Sequence, residues 1–126
     1  MRHAKSYGFT LIELLVVMTI IGMLLSLAVP RYFHSVDKSR ETVLRENLVI
    51  MRDSIDKYYG DRGRYPDSLE DLVTRKYLRA IPTDPITQSA ATWQIVAPEG
   101  LNQGAVYDIK SGATEKALDG TAYAEW

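Results

Sequence analysis

The chain has 126 residues, a formal charge of −1 and no cysteine. With 15 Lys and Arg against 16 Asp and Glu, it lacks the excess of base that a nucleic-acid binder needs to neutralise phosphates. The missing cysteines remove disulfides, thiolate zinc sites and cysteine nucleophiles together. By length it is one domain, but the first thirty residues are not available to its core. What remains builds only a small core, marginal without support from a membrane or from subunit contacts.

Arg2 and Lys5 open the chain, and the next cation is Arg31. Between them, residues 14–29 (LLVVMTIIGMLLSLAV) carry no charge. Together with residues 9–12 they give about twenty residues, or roughly 30 Å of helix, which crosses a hydrocarbon core. The leading cations place the N-terminus in the cytoplasm and the remainder outside. Glu13 interrupts this run. A lone acid costs about 2.5–3.5 kcal/mol at the centre of a bilayer, and less toward the end of a span.

Three readings of the segment compete. A secretory signal wants a small-residue cleavage site after the apolar run, which Ala28-Val29-Pro30 supplies badly. A plain signal anchor leaves Glu13 unexplained. Cleavage before the run, after Gly8, keeps the whole helix and gives both Gly8 and Glu13 a purpose.

Gly8-Phe9-Thr10-Leu11-Ile12-Glu13 followed by an apolar helix resembles the type III signal of the type IV pilin superfamily. That resemblance implies a prepilin peptidase that cuts between Gly8 and Phe9 and N-methylates Phe9. Glu13 then becomes the fifth mature residue and Pro30 the twenty-second, where the superfamily has them. Independently of the family, Pro30 removes one backbone donor and is expected to kink or locally open the helix. Cleavage creates a new amine at Phe9. Glu13 can pair with that amine on a neighbouring subunit, a head-to-tail contact that builds an open helical filament and offsets the burial of both charges.

Beyond Pro30 the pattern turns amphipathic. Leu44, Leu48, Met51, Ile55 and Tyr58/Tyr59 recur at steps of three and four, with Phe33, Val36 and Val43 upstream. The opposite face offers Glu41–Arg45 and Asp53–Lys57 as i,i+4 pairs, read as a solvated surface. Gly60 and Gly63 are expected to end the helix near Tyr59. The whole predicts one helix over residues 9–59, roughly 75 Å long.

In residues 60–72, Gly60, Gly63 and Pro66 impose a loop, and Asp67 or Ser68 caps a short helix carrying Leu69, Leu72 and Val73. Tyr77, Leu78 and Ile81 read as apolar anchors, and Pro82-Thr83-Asp84-Pro85 as extended chain and a turn. Residues 92–97 (TWQIVA) alternate as a strand with Trp93 and Ile95 on one face. Residues 105–110 (AVYDIK) form a second, joined to the first in a hairpin through a Pro/Gly/Asn loop. Tyr123 and Trp126 are placed to pin the tail to this sheet. The expected fold class is therefore α+β: a long N-terminal helix, transmembrane in its first half and amphipathic in its second, packed on a small antiparallel β-sheet. The expected divisions are a leader at 1–8, a membrane and polymerisation helix at 9–30, an amphipathic helix at 31–59 and a periplasmic α+β region at 60–126.

Gly63-Arg64-Tyr65-Pro66, Ser68-Leu69-Glu70-Asp71-Leu72, Pro82-Thr83-Asp84-Pro85, Val106-Tyr107-Asp108-Ile109 and the tail from Asp119-Gly120-Thr121 to Trp126 resemble the G-type (major pseudopilin) family of type II secretion systems. The absence of cysteine fits this branch better than type IVa pilins, which typically close a C-terminal disulfide loop. The resemblance implies calcium in the C-terminal loop. Asp119 and Thr121 match the second half of that site. The first half, Ser111 to Glu115, departs from it, with Ala113-Thr114 where an Asp-Gly pair is expected. Calcium takes about six to eight hard oxygens, so one carboxylate with carbonyls makes a weak site. Asp119 beside Gly120 also reads simply as a turn.

Catalytic chemistry is not evident. His3 and His34 stand alone without a second ligand at metal spacing, and no Gly-x-Ser-x-Gly or phosphate-loop motif occurs. The expectation is a structural subunit, not an enzyme, processed in the inner membrane and polymerised with itself into a periplasmic pseudopilus. The resemblance implies minor pseudopilins, a prepilin peptidase, an inner-membrane platform and a secretion ATPase as partners. A type IV pilin or minor pilin-like subunit for adhesion, motility or DNA uptake is the alternative. A membrane-anchored periplasmic binding protein or enzyme is a third reading.

Overall fold

The computed structural model describes residues 8–100 and 103–126. Arg2, His3 and Lys5 of the expected leader, and Asn102 of the expected hairpin loop, lie outside the described residues. The chain divides into two compact units, Met1–Val36 and Asp37–Trp126.

Helix α1 spans Leu11–Arg62. Its start is encoded by Thr10 and Glu13, whose side chains and backbone amides exchange hydrogen bonds as described below. Its assignment is uninterrupted through Pro30, where a proline removes a single i→i−4 bond. The helix outruns the expected end at Tyr59. Gly60 costs only about 1 kcal/mol inside a helix, and the stop falls at Gly63, whose φ of 70° is the left-handed conformation that closes helices. The Gly63 amide donates to the Tyr59 carbonyl at 2.8 Å.

In the first unit every large apolar side chain from Phe9 to Val29 is exposed, and α1 there is long and apolar enough to cross a membrane. Its two hydroxyl side chains before Pro30 are satisfied within the helix: Thr19 Oγ1 donates to the Leu15 carbonyl and Ser26 Oγ to that of Gly22, both at 2.8 Å.

The second unit is built on the later turns of α1. Leu44, Leu48, Met51, Ile55 and Tyr58 are buried as their spacing predicts. Helix α2, Leu69–Thr74, is capped by Ser68, whose hydroxyl accepts the Asp71 amide at 3.3 Å. Leu69 and Leu72 of α2, with Leu78, Trp93, Val106 and Ile109, complete most of the core. Tyr77 and Ile81 pack at its margin.

Strands β1 (Gln94–Val96) and β2 (Asp108–Lys110) pair antiparallel, with Ile95 opposite Ile109. Both are shorter than the sequence pattern predicts. The amides of Ala105 and Val106 donate to the Pro66 carbonyl at 3.0 and 2.9 Å, so they are lost to the ladder. Trp93 leaves the strand and enters the core, its indole N–H donating to the Pro82 carbonyl at 2.8 Å. The alternation therefore does not run from Trp93 into β1, and Ile95 stays 49% exposed. The expected turn at residues 82–85 forms around fully buried Asp84. Its Oδ1 accepts the Ile86 amide at 2.8 Å and its Oδ2 the Ser111 hydroxyl at 2.5 Å.

Candidate functional site

The expected functional residues fall into two groups, one in each unit. In the first, Gly8 and Phe9 precede α1 and are exposed, Phe9 at 83%. Thr10 is the last residue before the helix. Its Oγ1 accepts the Glu13 amide at 3.2 Å, and Glu13 Oε2 accepts the Thr10 amide at 3.4 Å. This reciprocal exchange is a capping box, which satisfies two of the donors left free at a helix start. The sequence pattern singles out Glu13 but the expectation above omits Thr10, although the Thr-x-x-Glu spacing was there to find it. Glu13 is the one charged side chain in residues 8–30. Among the described residues its second carboxylate oxygen has no hydrogen-bond partner, so the group is positioned but, within these residues, only half engaged. Pro30 lies a long way along the same helix and meets neither Gly8 nor Glu13.

The second group is the C-terminal segment. Asp119 Oδ1 accepts the Thr121 amide at 3.0 Å and the Thr121 hydroxyl at 2.6 Å, a side-chain turn around Gly120. These bonds to Thr121 hold the Asp119 carboxyl below its ordinary range. Thr121 Oγ1 also accepts the Trp126 indole N–H at 2.8 Å. Of the residues upstream, matched by resemblance to the other half of a calcium site, Ser111 is directed elsewhere. Ser111 is fully buried, donates to Asp84 and accepts the Ala113 amide at 3.1 Å. Among the described residues no three acidic or histidine side chains gather as a metal cluster. The donor set is thus one carboxylate and one hydroxyl already committed at both its donor and acceptor, with the nearby carbonyls of Glu115, Ala117 and Thr121 each accepting a main-chain amide. It does not fit a cation that takes six or more oxygens.

What the sequence reading missed is the stripe that receives this segment. Glu41, expected on a solvated face and paired with Arg45, is buried. Its Oε1 accepts the Leu118 amide at 2.7 Å and the Tyr123 hydroxyl at 2.9 Å. Burial of the Tyr123 ring and its bond to Glu41 raise the phenol above the ordinary tyrosine range. Arg45 instead lies over the Trp126 ring, 4.3 Å from its centroid. Arg52 donates to Asp108 at 2.8 Å, to the Ile109 carbonyl at 3.0 Å and to a main-chain oxygen of Trp126 at 2.9 Å. The signal was present: Glu41 is in phase with Leu44, Leu48, Met51 and Ile55, so a helix burying those four buries it too. The Asp53–Lys57 pair forms as expected at 3.0 Å on the exposed face.

An exposed apolar helix, opened by a capping box and followed by a small α+β unit, fits a membrane-anchored subunit of the prepilin type. The family model for the prokaryotic N-terminal methylation motif matches residues 3–29. The type II secretion system core protein G of Klebsiella michiganensis is 32% identical over 114 residues, 78% of each chain. That of Pseudomonas aeruginosa is 28% identical over 138 aligned positions, 97% of this chain and 95% of its own. That of Klebsiella pneumoniae is 29% identical across 91% of both. The chain belongs to the type II secretion core protein G family. No solved structure matches it.

Proposed function

We propose that the chain is the major structural subunit of a type II secretion pseudopilus, and that Glu13 directs its assembly. The observation that carries this is the half-engaged carboxylate at the start of a wholly exposed apolar helix. In the proposed sequence of events, residues 1–8 form a leader on the cytoplasmic side, and the prepilin peptidase cuts between Gly8 and Phe9. Methylation then marks the new Phe9 amine. Residues 9–30 anchor the subunit in the inner membrane, while residues 31–59 and the α+β region from 60 to 126 lie in the periplasm.

During assembly the apolar helix leaves lipid for the fibre interior, and the Phe9 amine of one subunit meets Glu13 of another. Pro30, lacking an N–H, frees one carbonyl at the end of the span and lets the helix adjust there. The secretion ATPase, the inner-membrane platform and minor pseudopilins are the partners this reading requires. No chemical step falls to the subunit; its part is mechanical, as a fibre that pushes cargo outward. Mass spectrometry of the mature protein tests the proposal. An N-terminus at Phe9 carrying one methyl group is expected. An intact N-terminus, or a cut elsewhere, would overturn it.

A further inference from the structure

Residues 116–126 return to α1 without forming a strand of the sheet. A bridge joins Lys116 to Ala122, the Ala117 amide donates to the Thr121 carbonyl at 2.7 Å and the Gly120 amide to the Ala117 carbonyl at 3.0 Å. The result is a tight loop that ends in a short 3-10 turn, Tyr123–Glu125. Ala117 and Tyr123 of this segment join the core and Trp126 packs against it, but the tip between them, residues 118–121, is exposed and needs a further hold. In the resembling family that hold is calcium, and the donor set here does not fit calcium.

The hold that is present comes from one face of α1. Glu41, Arg45 and Arg52 stand at i, i+4 and i+11, spacings that put them on one stripe of a helix. Each grips a different part of the returning segment. Glu41 takes the Leu118 amide at the loop entrance and the Tyr123 hydroxyl at its exit, Arg45 covers the Trp126 ring, and Arg52 takes the Trp126 main-chain oxygen. Among the described residues no buried side-chain polar atom lacks a partner, and Glu41 Oε1 alone accepts two donors from the segment.

We infer that a clasp centred on the Glu41 carboxylate closes the C-terminal loop of this chain and takes the place of a metal. Glu41 performs the service a cation would, with the sign reversed: an anion on the helix collects donors from both limbs of the loop, where a cation would collect acceptors. Bonds in which the acceptor is ionised are about twice as strong as neutral ones, and two converge on a single oxygen. Asp119, the carboxylate that the resemblance matches to a calcium site, is engaged instead by the Thr121 amide and hydroxyl. The inference stands apart from the assembly role of Glu13, and a failure of either leaves the other intact.

The experiment uses the full chain in detergent micelles. Thermal unfolding is followed by tryptophan fluorescence with millimolar calcium and with EDTA, and amide exchange is measured at Leu118. A ligand that binds only the folded state raises Tm with concentration, so the expected result is one Tm in calcium and in EDTA. Glu41→Ala is expected to speed exchange at Leu118 roughly ten- to a hundredfold, with the amide of Leu72 in α2 unchanged. Glu41→Gln, which keeps a neutral acceptor, should restore part of the protection. Tyr123→Phe, which removes only a hydroxyl, should give an intermediate loss and keeps the test available if Glu41→Ala does not fold. A Tm that falls in EDTA and returns with calcium would overturn the inference. So would unchanged exchange at Leu118 in both Glu41→Ala and Tyr123→Phe.

Discussion

Replacing Glu13 with alanine should leave a protein that is cleaved, inserted and folded, yet unable to form fibres. The size of the effect follows from what the carboxylate gains within its own chain. At the centre of a bilayer an acid costs about 2.5–3.5 kcal/mol, and somewhat less near the end of a span. The Thr10–Glu13 box returns about 1 kcal/mol, the usual worth of a helix cap. Roughly 1–2 kcal/mol stays unrecovered in the lone subunit and becomes available to a neighbour's amine. Across one subunit addition that difference is about a five- to thirtyfold change in the equilibrium constant, and a fibre compounds it at every step. Removing the acid also strands the Phe9 amine, which adds to the loss. The assay is sedimentation of sheared fibres from cells expressing the whole secretion system, with immunoblots of membrane and pellet. Glu13→Ala is expected in the membrane at normal level and absent from the pellet. Thr10→Val, which keeps the shape and loses the hydroxyl, should lower fibre yield without abolishing it. Fibres of normal abundance from Glu13→Ala would refute the reasoning.

Four further outcomes are expected. Gly8→Val should block processing and leave a precursor-sized band on an immunoblot, because a branched side chain would occupy the cleavage position. Ile55→Ala, at a fully buried position of the core, should cost about 2–5 kcal/mol in urea unfolding of the full chain in micelles; a loss under 1 kcal/mol would place the core elsewhere. Gly104→Ala should destabilise the chain and lower its urea midpoint, since the added Cβ would stand 2.0 Å from the Tyr65 carbonyl oxygen at a φ of 90°. Near-ultraviolet titration should show at least one tyrosine resisting ionisation well above pH 10.0, the ordinary value from which Tyr123 is raised. A raised folded-state value means that the stabilisation is complete below pH 10.0 and is lost as pH climbs toward the folded-state value. Tyr65, raised mainly by desolvation, and Tyr77, raised mainly by its bond to Asp61, act in the same direction.

The parts of the fold that were legible in the sequence are those governed by near neighbours. The buried stripe of α1 from Leu44 to Tyr58 and the Ser68 cap each depend on residues three or four apart, and both form as the spacing predicts. The strands were overextended because their limits depend on Pro66, forty residues away from Val106, whose carbonyl takes two amides that the local pattern assigned to the ladder. Glu41 was misread for a related reason. An i,i+4 rule pairs it with Arg45, but two donors from residues 118 and 123 outbid a solvent-exposed pair worth under about 0.5 kcal/mol. Asp84 shows the same limit: a proline-flanked turn was visible, while the Ser111 hydroxyl that completes its burial was not.

The apolar helix and Glu13 divide the work of the proposed fibre between adhesion and alignment. Hydrophobic burial is non-directional and proportional to area. Residues 14–29 are apolar on every side, so a neighbour that slips by one turn buries nearly the same surface. Such a segment holds subunits together but cannot by itself choose their register. A charge changes this, because a slip of one turn, about 5.4 Å of rise, leaves both amine and carboxylate buried without a partner. Breaking a buried pair in that way costs several kcal/mol, whereas the apolar contacts are almost indifferent. The capping box strengthens the discrimination by fixing the carboxylate against the first turn of α1 before any neighbour arrives, so less rotamer freedom is lost on pairing. In the proposed fibre, register would therefore be set where the helix is least hydrophobic, and the acid that is costly in the lone subunit would be the group that makes one stacking better than the rest.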